Sequence, residues 1–308
     1  MRVTLLSGGV GGARFARGLQ AALAPGELTV IGNVGDDVEV LGLHVSPDLD
    51  SILYALTGLA DEERGWGRAD ETWHALGTVE ALGGESWFRL GDRDLGLHLV
   101  RSRALAEGAS LSAITRRLAS ALGLEIDLVP ATDDRLRTHL VTPAGRFAFQ
   151  EWFVARGHRD EVDAVEYDGA ESALPAPRVL DALGGADAIV IAPSNPFVSI
   201  GPILAVREIR DALAARNVPA VAVSPLIGGR AVKGPADRML ARLAGGTTPH
   251  QVTLCYKGLI DALVVDEADA ADAEGLSVQA IVTRTLMTDA AARRRLAEAA
   301  LEVAGTPA

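Results

Sequence analysis

The 308-residue sequence contains one cysteine, Cys255, only two lysines, Lys233 and Lys257, and few aromatic side chains, at 4%. A single cysteine cannot form an intrachain disulfide, and no apolar run approaches the roughly 20 residues that span a bilayer. The amino terminus enters a strand-like segment without the pattern of a signal peptide. We therefore expect a cytoplasmic protein with no membrane partner, in which Cys255 is buried and inert.

Positive charge is also scarce, since the formal net charge is -12. Such a balance argues against nonspecific binding of nucleic acid, because the phosphate backbone would be repelled. Basic groups that bind an anionic ligand must then be local. The sequence therefore favours small-molecule partners over nucleic acid.

Apolar residues are abundant, at 48% of the sequence, and their pattern is typical of α/β proteins. Residues Val3 to Leu6 form a short continuous apolar run that predicts a buried parallel strand. A helix from Gly11 to about Leu23 and a second strand, Leu28 to Ile31, follow it. This order predicts a Rossmann-like, doubly wound and mostly parallel sheet.

The alternation is interrupted between residues 59 and 123, where three helical patterns follow one another. Before it, Ser46 and Pro47 predict the start of a helix over Leu49 to Leu56. We interpret 59–123 as a helical insertion that forms a lid, and 1–58 with 124–308 as the nucleotide-binding core. The three predicted helices of the insertion are Glu71 to Leu82, Leu95 to Glu107 and Leu111 to Leu122.

After the insertion the α/β pattern resumes. A hairpin is predicted over Arg137 to Val141 and Phe147 to Gln150, around a Pro-Ala-Gly-Arg turn. Alanine-rich residues Ala268 to Ala273 are interpreted as surface helix. The remaining predicted elements are the strands Ala188 to Ile191, Ala220 to Val223 and Ala262 to Val265, and the helices Ile203 to Ala215 and Asp289 to Val303.

A glycine-rich loop follows the first strand and contains Gly8, Gly9, Gly11 and Gly12. Glycines let backbone N–H groups approach a phosphate closely, and the helix that follows adds partial positive charge. The loop lacks the Gly-Lys-Ser/Thr of a Walker A sequence, and Arg14 stands where a dinucleotide fingerprint has its third glycine. A tight turn without a ligand is the alternative, but the position at a strand's carboxyl end favours phosphate binding.

Two acidic clusters come next in the chain. Carboxylates are the hard oxygen ligands that magnesium prefers, with substrate phosphate completing the coordination. Helix capping is an equally good explanation for any one of them, although two clusters beside a glycine loop strengthen the case for a metal. The aspartates are Asp36, Asp37, Asp48 and Asp50.

Three further loops carry polar residues suited to a ligand. Arg89, Asp92 and Arg93 lie in a dense charged segment, which from spacing alone favours an exposed, salt-bridged helix start. Two loops after buried strands offer hydrogen-bonding and backbone groups. Together with the glycine loop they predict a composite nucleotide site, to which they contribute Ser194, Asn195, Ser199, Gly228, Gly229 and Lys233.

As an ordered set these motifs resemble the 2-phospho-L-lactate transferase family of deazaflavin coenzyme biosynthesis. The resemblance spans essentially the whole chain. The residues that carry it are Ser7-Gly8-Gly9-Val10-Gly11-Gly12, Asn33 to Asp37, Ser46-Pro47-Asp48-Leu49-Asp50, Leu90-Gly91-Asp92-Arg93-Asp94, Pro193-Ser194-Asn195-Pro196, Ser224-Pro225-Leu226-Ile227-Gly228-Gly229 and Thr285-Leu286-Met287-Thr288.

The resemblance implies a magnesium-dependent, homodimeric phosphotransferase. Its donor would be a guanosine diphosphate-type ester of 2-phospho-L-lactate or phosphoenolpyruvate, and its acceptor the ribityl hydroxyl of the deazaflavin Fo. GMP would leave, and the product would be coenzyme F-420 without glutamates, or its dehydro form. The insertion would close over the deazaflavin.

The resemblance also implies roles for individual residues. Catalysis is assigned to Asp36, Asp37 and Asp50, and Mg²⁺ binding to Asp36, Asp48 and Asp50. Fo binding is assigned to Asp50, Arg89, Asp92 and Arg93. The glycine loop, with Ser194, Asn195, Ser199, Gly228, Gly229 and Lys233, would hold the guanosine phosphates.

Two other functions remain open at this point. One is a nucleotide-sugar-binding regulator of the related gluconeogenesis-factor family, which shares the glycine loop and the general fold. The charged segment at 90–94 and Trp66-Gly67 favour the transferase. The other is an NAD-dependent oxidoreductase, which the glycine spacing argues against.

Overall fold

A seven-stranded parallel sheet forms the centre of the protein, as a computed structural model describes it for residues 1–304. Its strands are short apolar runs with nearly every side chain buried, as expected when helices cover both faces. In chain order the strands are β1 (Val3–Ser7), β2 (Leu28–Gly32), β3 (Val38–Val40), β4 (Leu43–Val45), β5 (Asp127–Pro130), β6 (Arg137–Thr142), β7 (Gly145–Ala148), β8 (Ala164–Asp168), β9 (Ala188–Ile191), β10 (Ala220–Val223), β11 (Leu226–Ile227), β12 (Arg230–Ala231), β13 (Ala262–Asp266) and β14 (Gln279–Thr283).

The sheet order is β14-β13-β10-β9-β1-β2-β5, and every pairing in it is parallel. The chain winds outward from β1 through β2 to β5, then returns to β9 beside β1 and winds outward again. The order therefore reverses between β1 and β9. In such sheets the crevice at this reversal is where ligands bind, and the predicted doubly wound fold is confirmed.

Helices cover the sheet, and α1 packs between α2 and α11. No helix in the described part of the chain is long and apolar enough to cross a membrane. The helices are α1 (Gly9–Ala22), α2 (Pro47–Thr57), α3 (His74–Ala81), α4 (Asp92–Ala106), α5 (Leu111–Ala121), α6 (Val179–Gly185), α7 (Gly201–Ala205), α8 (Arg207–Ala214), α9 (Ala236–Ala244), α10 (Pro249–Cys255) and α11 (Ala290–Ala304), with π-helical turns at Glu151–Ala155 and Pro196–Ile200.

The segment predicted as an insertion, 59–123, contains α3, α4 and α5. Ser110 caps α5 by accepting a hydrogen bond from the Ala113 N–H, and Gly123 follows with the positive φ of a helix stop. The apolar face of α5 packs against β5, and Leu111, Ile114 and Leu118 belong to the main hydrophobic core. The segment is therefore continuous with the core through α5, while α3 lies further out.

Two small sheets complete the fold. β3 and β4 form an antiparallel hairpin, and β7, β6 and β8 form a three-stranded sheet that contains the predicted hairpin. An ion pair also joins α11 to the segment 59–123, because the buried Arg293 donates to both carboxylate oxygens of Glu62 at 2.8 and 2.5 Å.

Three local predictions were wrong. The single helix expected over Ile203 to Ala215 is interrupted at Val206, whose extended backbone (ψ 105°) separates α7 from α8. Residues Ala268 to Ala273 form parts of two 3₁₀ turns with Ala273 buried, because this stretch packs back on the core. Cys255 ends α10 half-buried rather than buried; burial still raises the pKa of its thiol to about 11, which disfavours the reactive thiolate.

The central strand β1 is buried along its whole length. Leu5→Ala removes a fully buried side chain, so we expect a loss of about 2–5 kcal/mol in the free energy of unfolding. Leu82→Ala is the matched control, since Leu82 is 82% exposed and its loss should change stability by less than about 0.5 kcal/mol. Urea denaturation measures both, and equal effects would contradict the assignment of β1 to the core.

Candidate active site

A cavity of about 770 Å³ opens at the carboxyl ends of β1 and β9, where the strand order reverses. Loops of the sheet form one side, and the segment predicted as a lid contributes another. Most of the residues predicted from the sequence to bind ligand meet here. They are Gly8, Gly9, Gly11, Asp36, Asp48, Asp50, Arg89, Ser194, Asn195, Ser199 and Lys233.

The glycine loop lies against the acidic residues. A Cβ on Gly8 would come within 2.6 Å of Asp48 Oδ2 and 2.9 Å of the Ser199 carbonyl, and Gly9 has φ +68°. Burial raises the pKa of Asp48, and the side chain of Asn33 and the backbone of Gly9 oppose the shift. No side chain caps α1. The amino end of α1 therefore presents backbone donors to the cavity beside a carboxylate.

The other two glycines serve the packing of α1 on the loop after β9. A Cβ on Gly11 would lie 2.9 Å from the Pro193 carbonyl, and one on Gly12 would lie 2.7 Å from Ser194 Oγ. Ser194 Oγ donates to the Gly8 carbonyl at 2.7 Å. Gly12 does not line the cavity, so its role in this structure is close approach of the two loops rather than ligand contact.

Asp36 and Asp48 form a buried acidic pair in the cavity wall. Burial, followed by repulsion from Asp48, holds the pKa of Asp36 well above its usual value. Burial also raises the pKa of Asp48 to about 6, although Asn33 donates to Asp48 Oδ2 at 2.9 Å and opposes the shift. Asp36 Oδ1 is buried without a hydrogen-bond partner in the described structure.

These two carboxylates fit a divalent cation. Mg²⁺ is usually held by one or two protein carboxylates, with water and substrate phosphate as the other ligands. It would satisfy the unpartnered Asp36 oxygen and offset the repulsion within the pair. Within residues 1–304 no cluster of three or more His, Cys, Asp or Glu side chains forms a complete metal site, so Asp36 and Asp48 need a ligand's oxygens to complete the coordination.

Asp37 has a different environment from Asp36. Its Oδ2 accepts from Ser46 Oγ at 3.0 Å and lies 2.9 Å from His44 Nε2. It does not line the cavity. Asp37 ties the loop after β2 to the hairpin β3–β4, and its assignment to catalysis stays a prediction.

Asp50 is paired with Arg101, which sequence analysis missed. The Arg101 guanidinium donates to both Asp50 oxygens, and both side chains are almost fully buried. Asp50 still lines the cavity. Arg101 already balances the charge of Asp50, although each carboxylate oxygen keeps a second lone pair for a further contact. The assignment of Asp50 as a metal ligand stays a prediction.

Two more residues of α4 extend this network. Burial lowers the pKa of His98 to about 4 and raises that of Asp94 to about 6, and the Tyr54 hydroxyl donates to Asp94. His98 and Asp94 both line the cavity. Asp94, His98 and Arg101 follow one another at intervals of four and three residues, which places all three on one helix face. This spacing is a signal that could have identified them from the sequence.

Arg89 lies on a platform of tryptophan and arginine side chains. Its guanidinium carbon is 4.8 Å from the centre of the Trp73 ring, whose plane is also approached by Arg64 at 5.2 Å. Arg64 in turn lies 4.8 Å from Trp66, which lines the cavity. Cation–π contacts of this kind orient Arg89 without occupying its hydrogen-bond donors.

The neighbouring charged residues do not line the cavity. Asp92 accepts from Thr72 Oγ1 and from the backbone N–H groups of His74 and Ala75, so it caps α3. Arg93 is exposed and lies 3.6 Å from Asp70. The assignment of Asp92 and Arg93 to Fo binding stays a prediction that this geometry does not favour.

Gly228 and Gly229 are also turned away from the cavity. Their N–H groups donate to the two oxygens of Asp269 at 3.0 and 2.8 Å, which leaves them no free donor for a phosphate. Gly229 and Gly228 both have positive φ. Their role in this structure is the turn between β11 and β12, which places Lys233 at the cavity.

Sequence analysis also missed a group of stacked aromatic rings in the cavity wall. Phe149 and Phe153 stack with their centroids 5.2 Å apart, and Phe153 stacks on His158 at 4.9 Å. All three line the cavity. Flat rings stacked in this way offer a surface for another planar ring.

The buried acidic pair predicts a pH-dependent stability. The folded-state pKa of Asp48 is raised, so ionisation destabilises the fold as pH rises from the unfolded value near 4 through about 6. In the absence of divalent cations we expect Asp48→Asn to gain about 1–3 kcal/mol relative to wild type between pH 4.5 and 7.5. Urea denaturation at the two pH values measures this difference.

Asp70→Asn is the matched control, because the Asp70 side chain is 85% exposed. It should show no such pH-dependent gain. A gain of the same size in both variants, or none in Asp48→Asn, would contradict the buried repulsion.

Comparison with known proteins identifies the family. Residues 3–304 match the family model described as 2-phospho-L-lactate transferase CofD. The phosphoenolpyruvate transferase of Kitasatospora aureofaciens is 46% identical over 316 residues, covering 99% of this chain and 98% of its own. That of Thermobifida fusca is 45% identical over 318 residues, with 99% and 98% coverage.

A solved structure agrees on the fold. A protein of the UPF0052 family from Bacillus halodurans superposes with a TM-score of 0.65 at 18% identity, covering 97% of this chain and 98% of its own. At that identity the likeness concerns the fold alone. With the family model and the full-length relatives, the conclusion is that this chain belongs to the 2-phospho-L-lactate transferase CofD family.

Proposed function

We propose that this chain, a transferase of coenzyme F-420 biosynthesis by its family and relatives, moves a phosphorylated three-carbon acid from a guanosine diphosphate-type donor to Fo. The acid is 2-phospho-L-lactate or phosphoenolpyruvate, and the acceptor is the ribityl hydroxyl of Fo. GMP leaves. The observation that carries the proposal is one cavity that is lined by helix-end donors, a buried acidic pair and aromatic side chains.

The amino end of α1 is assigned to the diphosphate of the donor. The N–H groups of its first turn have no side-chain cap and face the cavity beside Ser194 and Ser199. A helix terminus favours negative charge there. Phosphoryl transfer depends mainly on such charge neutralisation and on alignment of the reacting oxygens.

Asp36 and Asp48 are assigned to Mg²⁺. When bound, the ion would offset charge on the diphosphate and polarise the phosphorus that is attacked. The protein's part is to hold two carboxylates close together despite their repulsion, with Asn33 fixing Asp48. The raised pKa values of both groups are the electrostatic sign of a site prepared for a cation.

Asp50 is assigned to the attacking hydroxyl. Arg101 fixes both oxygens of Asp50 at the cavity wall, so the carboxylate has one orientation in which to accept a hydrogen bond from the ribityl chain. We assign it as acceptor of the hydroxyl proton. Arg89, oriented by Trp73, would contact the deazaflavin or its ribityl chain.

The alternative function is a nucleotide-sugar-binding regulator, which would have the same fold. Similarity of fold does not distinguish a binding protein from an enzyme. Relatives at 45–46% identity that are named as transferases favour the enzyme. The homodimer and the cytoplasmic location stay predictions. Stabilisation by UDP-N-acetylglucosamine but not by Fo, in thermal unfolding, would favour the regulator.

The direct test is incubation of the full chain with Fo, Mg²⁺ and each guanylated donor in turn, followed by mass spectrometry. We expect coenzyme F-420 without glutamates from the phospholactate donor, or its dehydro form from the phosphoenolpyruvate donor, with one GMP per product. Chelation of Mg²⁺ should abolish both products. No product from either donor would overturn the proposal.

Removing the proposed proton acceptor should slow chemistry. Asp50→Asn keeps one hydrogen bond to Arg101 and should lower kcat about 100-fold, with little change in KM for either substrate. Circular dichroism checks that the variant is folded. Wild-type kcat in a folded Asp50→Asn protein would contradict the assignment.

Removing the proposed acceptor contact should weaken Fo binding. Arg89→Ala should raise KM for Fo about 10-fold, because an unpaired cation of the cavity is lost. Arg93→Ala is the matched control, four residues away and outside the cavity. If steady-state kinetics showed the same increase in KM for Fo in both variants, the position of Arg89 in the cavity would not explain Fo binding.

A further inference from the structure

Two cations of the cavity, Arg14 and Lys233, form no ion pair in the described structure; Arg89 forms none either, but it stacks on Trp73. Arg14 lies on α1, five residues after Gly9, and Lys233 lies two residues after β12; both line the cavity. The positive charges of Arg293, Arg17 and Arg14 all lower the pKa of Glu62. The Glu62 oxygens, however, accept hydrogen bonds from Arg293 and Arg17 and not from Arg14. In a chain with a net charge of -12, two cations without a bonded carboxylate point to an external anion.

Gly65 brings the two cations together. Its φ is +77°, and a Cβ built on it would overlap Lys233 Nζ and lie 3.6 Å from Arg14 Nη2. The two nitrogens are therefore close enough for one anionic group to contact both. Like charges at this separation repel each other, so binding an anion between them is favourable.

The position of the pair distinguishes it from the proposed phosphate site. Arg14 lies in the second turn of α1, and its side chain leans back toward the amino end, as side chains on helices do. Its guanidinium lies near Gly65 and the Lys233 ammonium, so it adds a cationic group to the cavity besides the first-turn N–H groups. An anion held by Arg14 and Lys233 would be a neighbour of the diphosphate, on the same molecule.

The donor has one such neighbouring group, the carboxylate of the acid that is transferred. We propose that Arg14 and Lys233 form the subsite for this carboxylate, an inference that rests on the proposed function. The planar guanidinium matches a carboxylate in a bidentate way, and the ammonium adds a point charge. The pair selects donors whose phosphorylated group is an acid over those that carry a neutral group.

The test compares two donors in the full-length enzyme: guanylated phosphoenolpyruvate and its carboxamide analogue, which keeps the diphosphate but has no carboxylate. Arg14→Gln should raise KM for the acid donor about 10-fold. It should leave KM for the amide donor and for Fo unchanged. Calorimetric titration of each donor without Fo should give the same pattern in Kd.

Arg17→Gln is the matched control. Arg17 lies on the same helix, three residues further on, and pairs with Glu62 rather than facing the cavity. It should change neither donor's KM. Lys233→Gln is a second variant. Lys233 lies in an exposed turn, so the substitution does not disturb α1. It should raise KM for the acid donor by less than Arg14→Gln does and leave KM for the amide donor unchanged.

Loss of affinity for both donors in Arg14→Gln would place the diphosphate at this pair and overturn the subsite. Unchanged affinity for both would overturn it as well. Either result in an enzyme whose wild type still forms product leaves the proposed function intact, whereas a wild type inactive with every donor removes the proposed function itself.

Discussion

The close approach of α1 to the loop after β9 determines where the other parts of the site lie. Gly11 and Gly12 allow it, since a side chain at either would meet the Pro193 carbonyl or Ser194 Oγ. Ser194 then bonds to the Gly8 carbonyl and closes the contact. Because the strand order reverses between β1 and β9, this contact forms the floor of the crevice, and the acidic loop after β2 is brought against it.

The site concentrates unfavourable charge next to that floor. Asp36 and Asp48 are buried together, and α4 adds Asp94 and His98, each with a pKa shifted toward its neutral form. Arg101, by contrast, neutralises the carboxylate of Asp50. Because these buried charges destabilise the free protein, binding of a cation and a phosphate would stabilise it. This is consistent with a site for charged ligands.

Much of the fold could be predicted because the buried strands are continuous apolar runs. Ala188–Ile191 and Ala220–Val223 have the predicted bounds, and the loops that follow strands meet at one edge as parallel sheets require. The hairpin β3–β4 gave little signal. Its strands have three residues each, and its turn uses Leu41 with φ +54° before Gly42 instead of an Asn-Gly pair.

The parts of the site that were missed depend on contacts between distant residues. Arg101 reaches Asp50 across 51 positions, and Asp269 reaches Gly228 across 41. Local spacing can place Arg101 on one helix face with His98, but it does not identify Asp50 as its partner, and it does not connect Asp269 to Gly228. The break in the helix at Val206 likewise is not marked by a glycine or proline. Val206 is fully buried, and packing overrides helix propensity there.

The buried ion pair between α2 and α4 also limits how the lid could open. Swinging α4 away as a rigid arm would leave a carboxylate and a guanidinium without partners in a dry interior, which is strongly unfavourable. The ion pair therefore holds α4 in place. Entry of a large planar substrate would depend on movement of an outer strip, the part of the segment that contains Trp66, Trp73 and Arg89. If the segment 59–123 closes over a ligand, as its predicted role requires, the bend would lie between α4 and this outer strip rather than where α4 joins the core.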